Sequence, residues 1–338
     1  MRAPVDVSIL IVSYDTREMT LAAIASVFAE TRDVSFEVIV VDNASGDGSA
    51  AAIANAYPRV RLIVSPANLG FARANNLAAQ HAIGEYVLLL NPDTLVLDRA
   101  IDKLVAFARA QPGAGIWGGR TRFGDGRLNP ASCWRRLSLW SLFCRAAGLT
   151  GLFPASPLFN SEAYGGWARD RVRHVDIVSG CFLLMRRRLW RGLGGFDPRY
   201  FMYGEEADLC LRARRRGARP AVTPEATIVH YGGASERTRA DKMVKLLAAK
   251  STLIERHLAA AARLPGRLLL AAWPLSRWLA HAVLARFTRS RHHRSAASVW
   301  HEIWQRRREW WQGWTVGVDV APPPATHPLP AGGARATR

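Results

Sequence analysis

Short apolar runs rich in β-branched residues alternate with helical segments through residues 1–120, and no other feature restricts the fold as much. The runs cover residues 7–12, 36–41, 60–64 and 86–90; between and after them, residues 18–29, 49–56, 72–80 and 100–110 have helical character. Parallel strands need a long crossover connection, so strictly alternating strands and helices predict a mostly parallel, doubly wound α/β sheet. Such sheets bind ligands beyond the C-terminal ends of their strands. Two runs end there in a carboxylate: residues 36–41 lead into Asp42, and residues 86–90 into Asn91-Pro92-Asp93. Asn-Pro-Asp is equally the composition of an ordinary turn, because all three residues favour tight turns.

Beyond residue 118 the signals weaken. Residues 118–173 are rich in Gly, Pro, Ser and Trp without a steady period, which predicts loops and short helices. Residues 175–186 read as one strand-like run, 208–216 as a helix and 221–230 as a strand. With 338 residues and 49% hydrophobic content, the chain is long enough for one large α/β domain plus an appendage, or for two domains. Cys133, Cys144, Cys181 and Cys210 are widely spaced and form no Cys-x-x-Cys pair, so they read as reduced thiols. The N-terminus resembles a first strand more than a signal peptide, which makes the expected location cytoplasmic.

The net charge of +19 calls for anionic partners. From Asp241 onward there are 16 Lys and Arg against 5 Asp and Glu, together with seven of the 12 tryptophans. Arginine interleaved with tryptophan suits an anionic membrane surface, where indoles sit among headgroups. Nucleic acid competes on charge alone, without any recognised nucleic-acid motif, and is not the expected partner. Genomic arginine bias would also raise the charge. Residues 268–287 approach membrane-spanning length but contain Pro274, Arg277 and His281, so lying in the interface is expected over spanning.

Four further segments carry polar chemistry. Asp42, Asn43 and the glycines Gly46 and Gly48 follow the second strand. They formally fit Gly-x-Gly-x-x-Ala, but the first glycine does not follow its strand directly and no acid stands at the next strand tip. Asn68, Arg73 and Asn76 lie on a turn entering a helix, a pattern that an N-capped helix with a surface arginine also gives. Phe201, Tyr203, Glu205, Glu206 and Asp208 put aromatics before three acids at a helix start. Capping explains one or two acids there, while crowded carboxylates raise one another's pKa and suit a general base. His230 ends a strand, where histidine is structural more often than a ligand. Arg212–Arg216 has two open readings, an anionic acceptor contact or a solvated helix face.

In this order, Asp42, residues 68–76, Asn91-Pro92-Asp93, residues 196–209 and His230 resemble the family 2 inverting glycosyltransferases of the GT-A fold. The nearest likeness is to the bacterial rhamnosyltransferase-like branch, and it covers residues 5–235. The resemblance implies a GT-A domain over residues 1–238, with a nucleotide-binding half (1–120) and an acceptor and catalytic half (121–238). A basic, Trp-rich helical extension that associates with membrane (239–320) and a disordered tail (321–338) would follow. It further implies that Ser13 and Tyr14 line the nucleotide pocket and that Asp42, with Asn43, reads the base. Asn68, Arg73, Asn76 and Asn91 would hold ribose and diphosphate. Asp93 would bind Mg²⁺ or Mn²⁺, with His230 as a second ligand. Glu206 would be the catalytic base, where the family pattern has aspartate; Glu205 is the reserve, and Asp208 completes the acidic motif. Gly180, Cys181, Phe201 and Tyr203 would shape the acceptor side. The implied partners are a nucleoside-diphosphate sugar, of the dTDP-rhamnose or UDP-hexose class, and a lipid-linked saccharide at the inner face of the plasma membrane. A degenerate glycosyltransferase-fold scaffold is the rival reading, because Glu206 departs from aspartate.

Overall fold

A computed structural model describes residues 5–232 and 238–315. The first half follows the sequence pattern closely. Strands β1 (Val7–Ser13), β2 (Phe36–Asp42), β3 (Arg61–Val64) and β4 (Tyr86–Leu90) alternate with helices α1 (Arg17–Glu30), α2 (Ser49–Ala56) and α3 (Gly70–Gln80). The first three strands and β4 pair in parallel, in the order β3-β2-β1-β4. Both faces of β1 and β4 are buried, which is why their sequences are continuous apolar runs.

After β4 come β5 (Thr94–Val96), α4 (Ala100–Ala110), β6 (Ile116–Arg122), β7 (Leu128–Asn129) and β8 (Cys133–Trp134). Next are α5 (Leu139–Ala146), α6 (Leu149–Leu152), β9 (Arg173–His174), β10 (Ile177–Val178), β11 (Phe182–Arg186), α7 (Arg187–Leu193), α8 (Glu205–Arg215) and β12 (Ala221–His230). The sheet continues as β4-β11-β6-β12-β5, with β11 antiparallel to both neighbours and β12 parallel to β6. Two readings of this half are corrected. Residues 118–173 are not all loop and short helix: β6 is a central strand whose Gly118 and Gly119 admit Val178 and Phe182 so closely that an added Cβ would stand 2.4 and 2.7 Å from them. The apolar run at 175–186 is two strands broken at Ser179–Cys181, and the break brings Gly180 and Cys181 to the cavity described below.

Helices α9 (Arg239–His257), α10 (Ala260–Thr288), α11 (Arg291–Gln305) and α12 (Arg307–Trp311) complete the described chain; the tail expected from residue 321 lies outside the described residues. These helices share one apolar cluster with α5, in which Leu142 packs with Leu247, Leu270, Trp300, Ile303 and Trp310. Indole burial explains part of the tryptophan content: Trp310 is fully buried and its Nε1–H donates to the Ile303 carbonyl at 3.0 Å. All four cysteines are buried and free.

Candidate active site

A cavity of about 870 Å³ opens beyond the C-terminal ends of β1 and β4 and runs against α8. Its first group of polar residues stands at the β4 tip. Strand β5 pairs antiparallel with the end of β12, Thr94 opposite His230, and this register sets Asp93 beside the imidazole. Asp93 Oδ1 is 3.4 Å from His230 Nε2, and its Oδ2 accepts the Gly232 N–H at 3.0 Å. Asn91 places Nδ2 3.3 Å from the same imidazole nitrogen. Burial works against ionisation of Asp93, but His230 outweighs it and keeps the carboxyl below its usual range. Burial likewise opposes charge on His230, and Cys181 and Asp93 together lift it to about 10.

Asn91 Oδ1 and His230 Nδ1 are buried without a hydrogen-bond partner. An amide oxygen, a carboxylate and an imidazole form a hard-to-borderline donor set that fits Mg²⁺ or Mn²⁺. Among the described residues no three His, Cys, Asp or Glu converge as a metal cluster. The set is therefore incomplete by itself, and ligand oxygens have to complete the shell.

Asn43 and Asn68 form the adjoining wall. Asn43 Nδ2 donates to Asn68 Oδ1 at 2.9 Å, its Oδ1 accepts the Leu69 N–H at 2.8 Å, and Asn68 Oδ1 also takes the Gly70 N–H. Tyr14 lines the same wall, together with Thr16, which the sequence did not single out. Asp42 is 1% exposed; Oδ1 accepts the Ser45 N–H, and Oδ2 is buried without a partner, an acceptor open to a donor.

Several expected contacts do not reach the cavity. Ser13 is fully buried and its hydroxyl bonds Thr20 at 2.9 Å. Arg73 Nε donates to the Pro198 carbonyl, while Asn76 grips both the N–H and the carbonyl of Phe196. These two side chains hold the loop before α8 against α3. Gly70 belongs to the same junction: it has φ +73°, and an added Cβ would sit 2.5 Å from the Phe201 carbonyl, which accepts the Phe71 N–H at 2.8 Å. Phe201 itself stays outside the cavity, with its ring 6.1 Å from Trp314, whereas Tyr203, Gly180 and Cys181 line it.

The first turn of α8 carries the acids. Glu205 and Glu206 both line the cavity. Glu205 is 4% exposed with Oε2 unpartnered; burial and then the neighbouring Glu206 charge push its pKa well above the usual value. Burial also raises Glu206. Of the pair, Glu206 ionises first, since it is the more open to solvent and its charge is what disfavours a second one on Glu205. Asp208 differs. It points to the back of the helix, fully buried, with Arg212 Nε at 2.6 Å, His257 Nε2 at 2.8 Å and Arg256 Nε at 3.2 Å. It does not line the cavity and reads as a positioning residue, not a catalytic one.

The sequence gave no sign of the far wall. Arg145 and Lys250 clamp the buried carboxylate of Glu162, all three lining the cavity, and hold that acid near a pKa of about 2 against its burial. The five arginines 212–216 divide by helix face: Arg212 serves Asp208 and the Leu193 and Gly195 carbonyls, Arg216 bonds the Gly192 carbonyl, and Arg214 and Arg215 line the cavity.

The sheet order and this cavity define a GT-A fold. A mannosyltransferase, PcManGT from Pyrobaculum calidifontis, solved with GDP-Man and Mn²⁺, superposes with a TM-score of 0.55 at 18% identity, covering 91% of this chain and 88% of that one. The profile of glycosyl transferase family 2 matches residues 8–191, and the chain belongs to that family, in its rhamnosyltransferase-like branch. It is a glycosyltransferase. Among relatives, N-acetylglucosaminyl-diphospho-decaprenol L-rhamnosyltransferase of Mycobacterium tuberculosis is 33% identical over 218 residues, 60% of this chain and 68% of that protein. O-antigen biosynthesis protein RfbC of Myxococcus xanthus is 28% identical over 250 residues; the match spans 71% of this chain but 18% of that protein.

Proposed function

We propose that this enzyme is metal-dependent and inverting, moving a sugar, with rhamnose preferred, from a nucleoside-diphosphate donor to a lipid-linked or polysaccharide acceptor in cell-surface glycan synthesis. One observation carries the reading: a single cavity holds a metal-capable donor set at the β4 tip and a pair of glutamates with raised pKa on α8. The names of the mycobacterial and myxobacterial relatives support the sugar and the acceptor class.

Asp93, His230 and the Asn91 amide oxygen would hold Mg²⁺ or Mn²⁺. When bound, the ion supplies positive charge against the diphosphate leaving group. The open Oδ2 of Asp42 accepts the imide N–H of uracil or thymine, and Tyr14, Asn43 and Asn68 wall the nucleoside. Glu206 takes the proton of the acceptor hydroxyl as that oxygen attacks the anomeric carbon. The diphosphate leaves from the opposite face, so the configuration inverts. A raised pKa brings the Glu206 carboxylate closer to the proton affinity a base needs near neutral pH. Glu205, the harder of the two to ionise, remains protonated beside it.

The helical extension would hold the enzyme at the cytoplasmic face of the plasma membrane. On α10, Leu264, Leu268, Val283 and Phe287 are 63%, 55%, 54% and 79% exposed, while Leu270 and Trp273 face the protein. The helix is long and apolar enough to cross a bilayer. Its packing on α5 and the Arg277 hydrogen bond to the Arg145 carbonyl favour a position in the interface. A screen of nucleotide sugars for donor hydrolysis, with and without chelator, tests the catalytic reading. Absence of turnover on every donor would remove it, and undiminished activity in chelator would remove the metal. Flotation with anionic vesicles tests the membrane reading.

A further inference from the structure

Beside the large cavity lies a second hollow of about 480 Å³, walled by Arg135, Arg173, Arg214, Arg219 and His174 with Asp176 as its one acid. The two hollows meet at Arg135 and Arg214, which line both. Tyr164 gathers two of the guanidiniums: Arg135 Cζ is 5.2 Å and Arg173 Cζ 4.7 Å from its ring centroid. Asp176 pairs with Arg214 at 3.0 Å, and among the described residues no acid pairs with Arg135 or Arg173. Like charges held this close repel until an anion joins them. Stacking on an aromatic face also fixes the planar guanidinium forks, whose geometry suits two-point contact with phosphate oxygens.

The position of this cluster relative to the glutamates identifies the anion. Glu206, Ala207, Leu211 and Arg214 line the cavity along one side of α8. Eight residues of α-helix separate Glu206 from Arg214, a rise of ~12 Å. An acceptor whose hydroxyl meets Glu206 therefore reaches the arginines across a short saccharide. The donor diphosphate belongs to the β4 tip and does not account for them. We infer that Arg135, Arg173 and Arg214 form an anion subsite for the diphosphate that joins the acceptor saccharide to its lipid carrier. The inference rests on the proposed transfer to a lipid-linked acceptor.

The test uses the full chain carrying Arg135→Gln and Arg173→Gln together. Two acceptors are compared in steady state: a short-chain polyprenyl-diphosphate saccharide, and the same saccharide on an uncharged alkyl chain. Charge-assisted hydrogen bonds of this kind set the expected rise in KM for the diphosphate acceptor at roughly ten- to a hundredfold. KM for the alkyl acceptor and the rate of donor hydrolysis should stay within about twofold. The Arg135→Lys, Arg173→Lys variant keeps the charge and should recover part of the discrimination, which separates charge from lost packing on Tyr164. Equal changes for both acceptors, no change for either, or no preference in the unmodified enzyme would overturn the subsite. So would loss of flotation on acceptor-free anionic vesicles with KM intact, which would assign the arginines to phospholipid headgroups. Failure of the unmodified enzyme to hydrolyse any nucleotide sugar would strike the proposed function itself and not the subsite.

Discussion

The two sides of the first turn of α8 put buried carboxylates three residues apart under opposite conditions. On the cavity side Glu205 is 4% exposed, has an unpartnered oxygen and resists ionisation. On the back Asp208 is fully buried, yet His257 and Arg212 outweigh the burial and hold it at about 2, with Arg256 as a third cation. Depth is nearly the same; partners differ. A carboxylate surrounded by cations is a fixed charge that organises structure, whereas one denied partners is a group with a movable proton. Asp93 stands between these cases, with a lowered pKa from a single imidazole and one face open to the cavity.

Substitutions can break this comparison, and the largest effects are expected at the cavity. Asp93→Ala should lower transfer by roughly 10²–10⁴-fold, since charge stabilisation at the leaving group is among the largest catalytic contributions. Unfolding should be little changed, and full activity would refute the assignment. Glu206→Gln should lower kcat by about 10²–10⁴-fold while donor binding survives, as expected for loss of a general base. An equal loss of donor affinity, read by titration calorimetry, would argue for a binding role instead. Asp208→Asn should act on stability: leaving Arg212, Arg256 and His257 without their acid is expected to cost about 3–5 kcal/mol, seen as a lower Tm. Because the folded pKa of Asp208 lies below the ordinary 3.8, the stability it contributes is complete above that value and is lost as pH falls through about 2.

Glu205→Gln should have the smallest effect. If Glu205 is already neutral, the amide leaves kcat within a few-fold and the acid limb of the pH profile in place, with that limb still set by Glu206 above the ordinary 4.5. Its sign in stability is opposite to that of Asp208. A raised carboxyl favours the fold below its unfolded pKa, and that contribution fades as pH rises through the raised value, so the glutamine variant should gain relative stability at alkaline pH. A collapse of kcat in Glu205→Gln would transfer the role of base to that residue.

How legible each part was depended on how local its causes are. Strands β1, β2 and β4 and helices α2 and α4 stand where the sequence places them, because continuous burial and helical period are properties of neighbouring residues. Strand β5 has three residues and exists through its pairing with β12, so no local period announces it. In β6 the pair Gly118-Gly119 looks like a loop and is a concession to Val178 and Phe182 across the sheet. The order of acids and asparagines pointed to the right neighbourhood, but not to the orientation of each side chain. Arg73 and Asn76 turn to the loop before α8, and Ser13 turns inward.

The sequence by itself determined the α/β class, the strand tips bearing Asp42 and Asp93, the acidic start of α8 and the family, because these are carried by residues adjacent in the chain. The tertiary structure alone decided which acids are free. His230 meets Asp93 across 137 residues, and His257 meets Asp208 across 49, through sheet register and helix packing that no local pattern encodes. The same carboxylate chemistry becomes an anchor or a base according to which cations packing delivers, since the energy of a buried charge depends on its partners more than on its own identity.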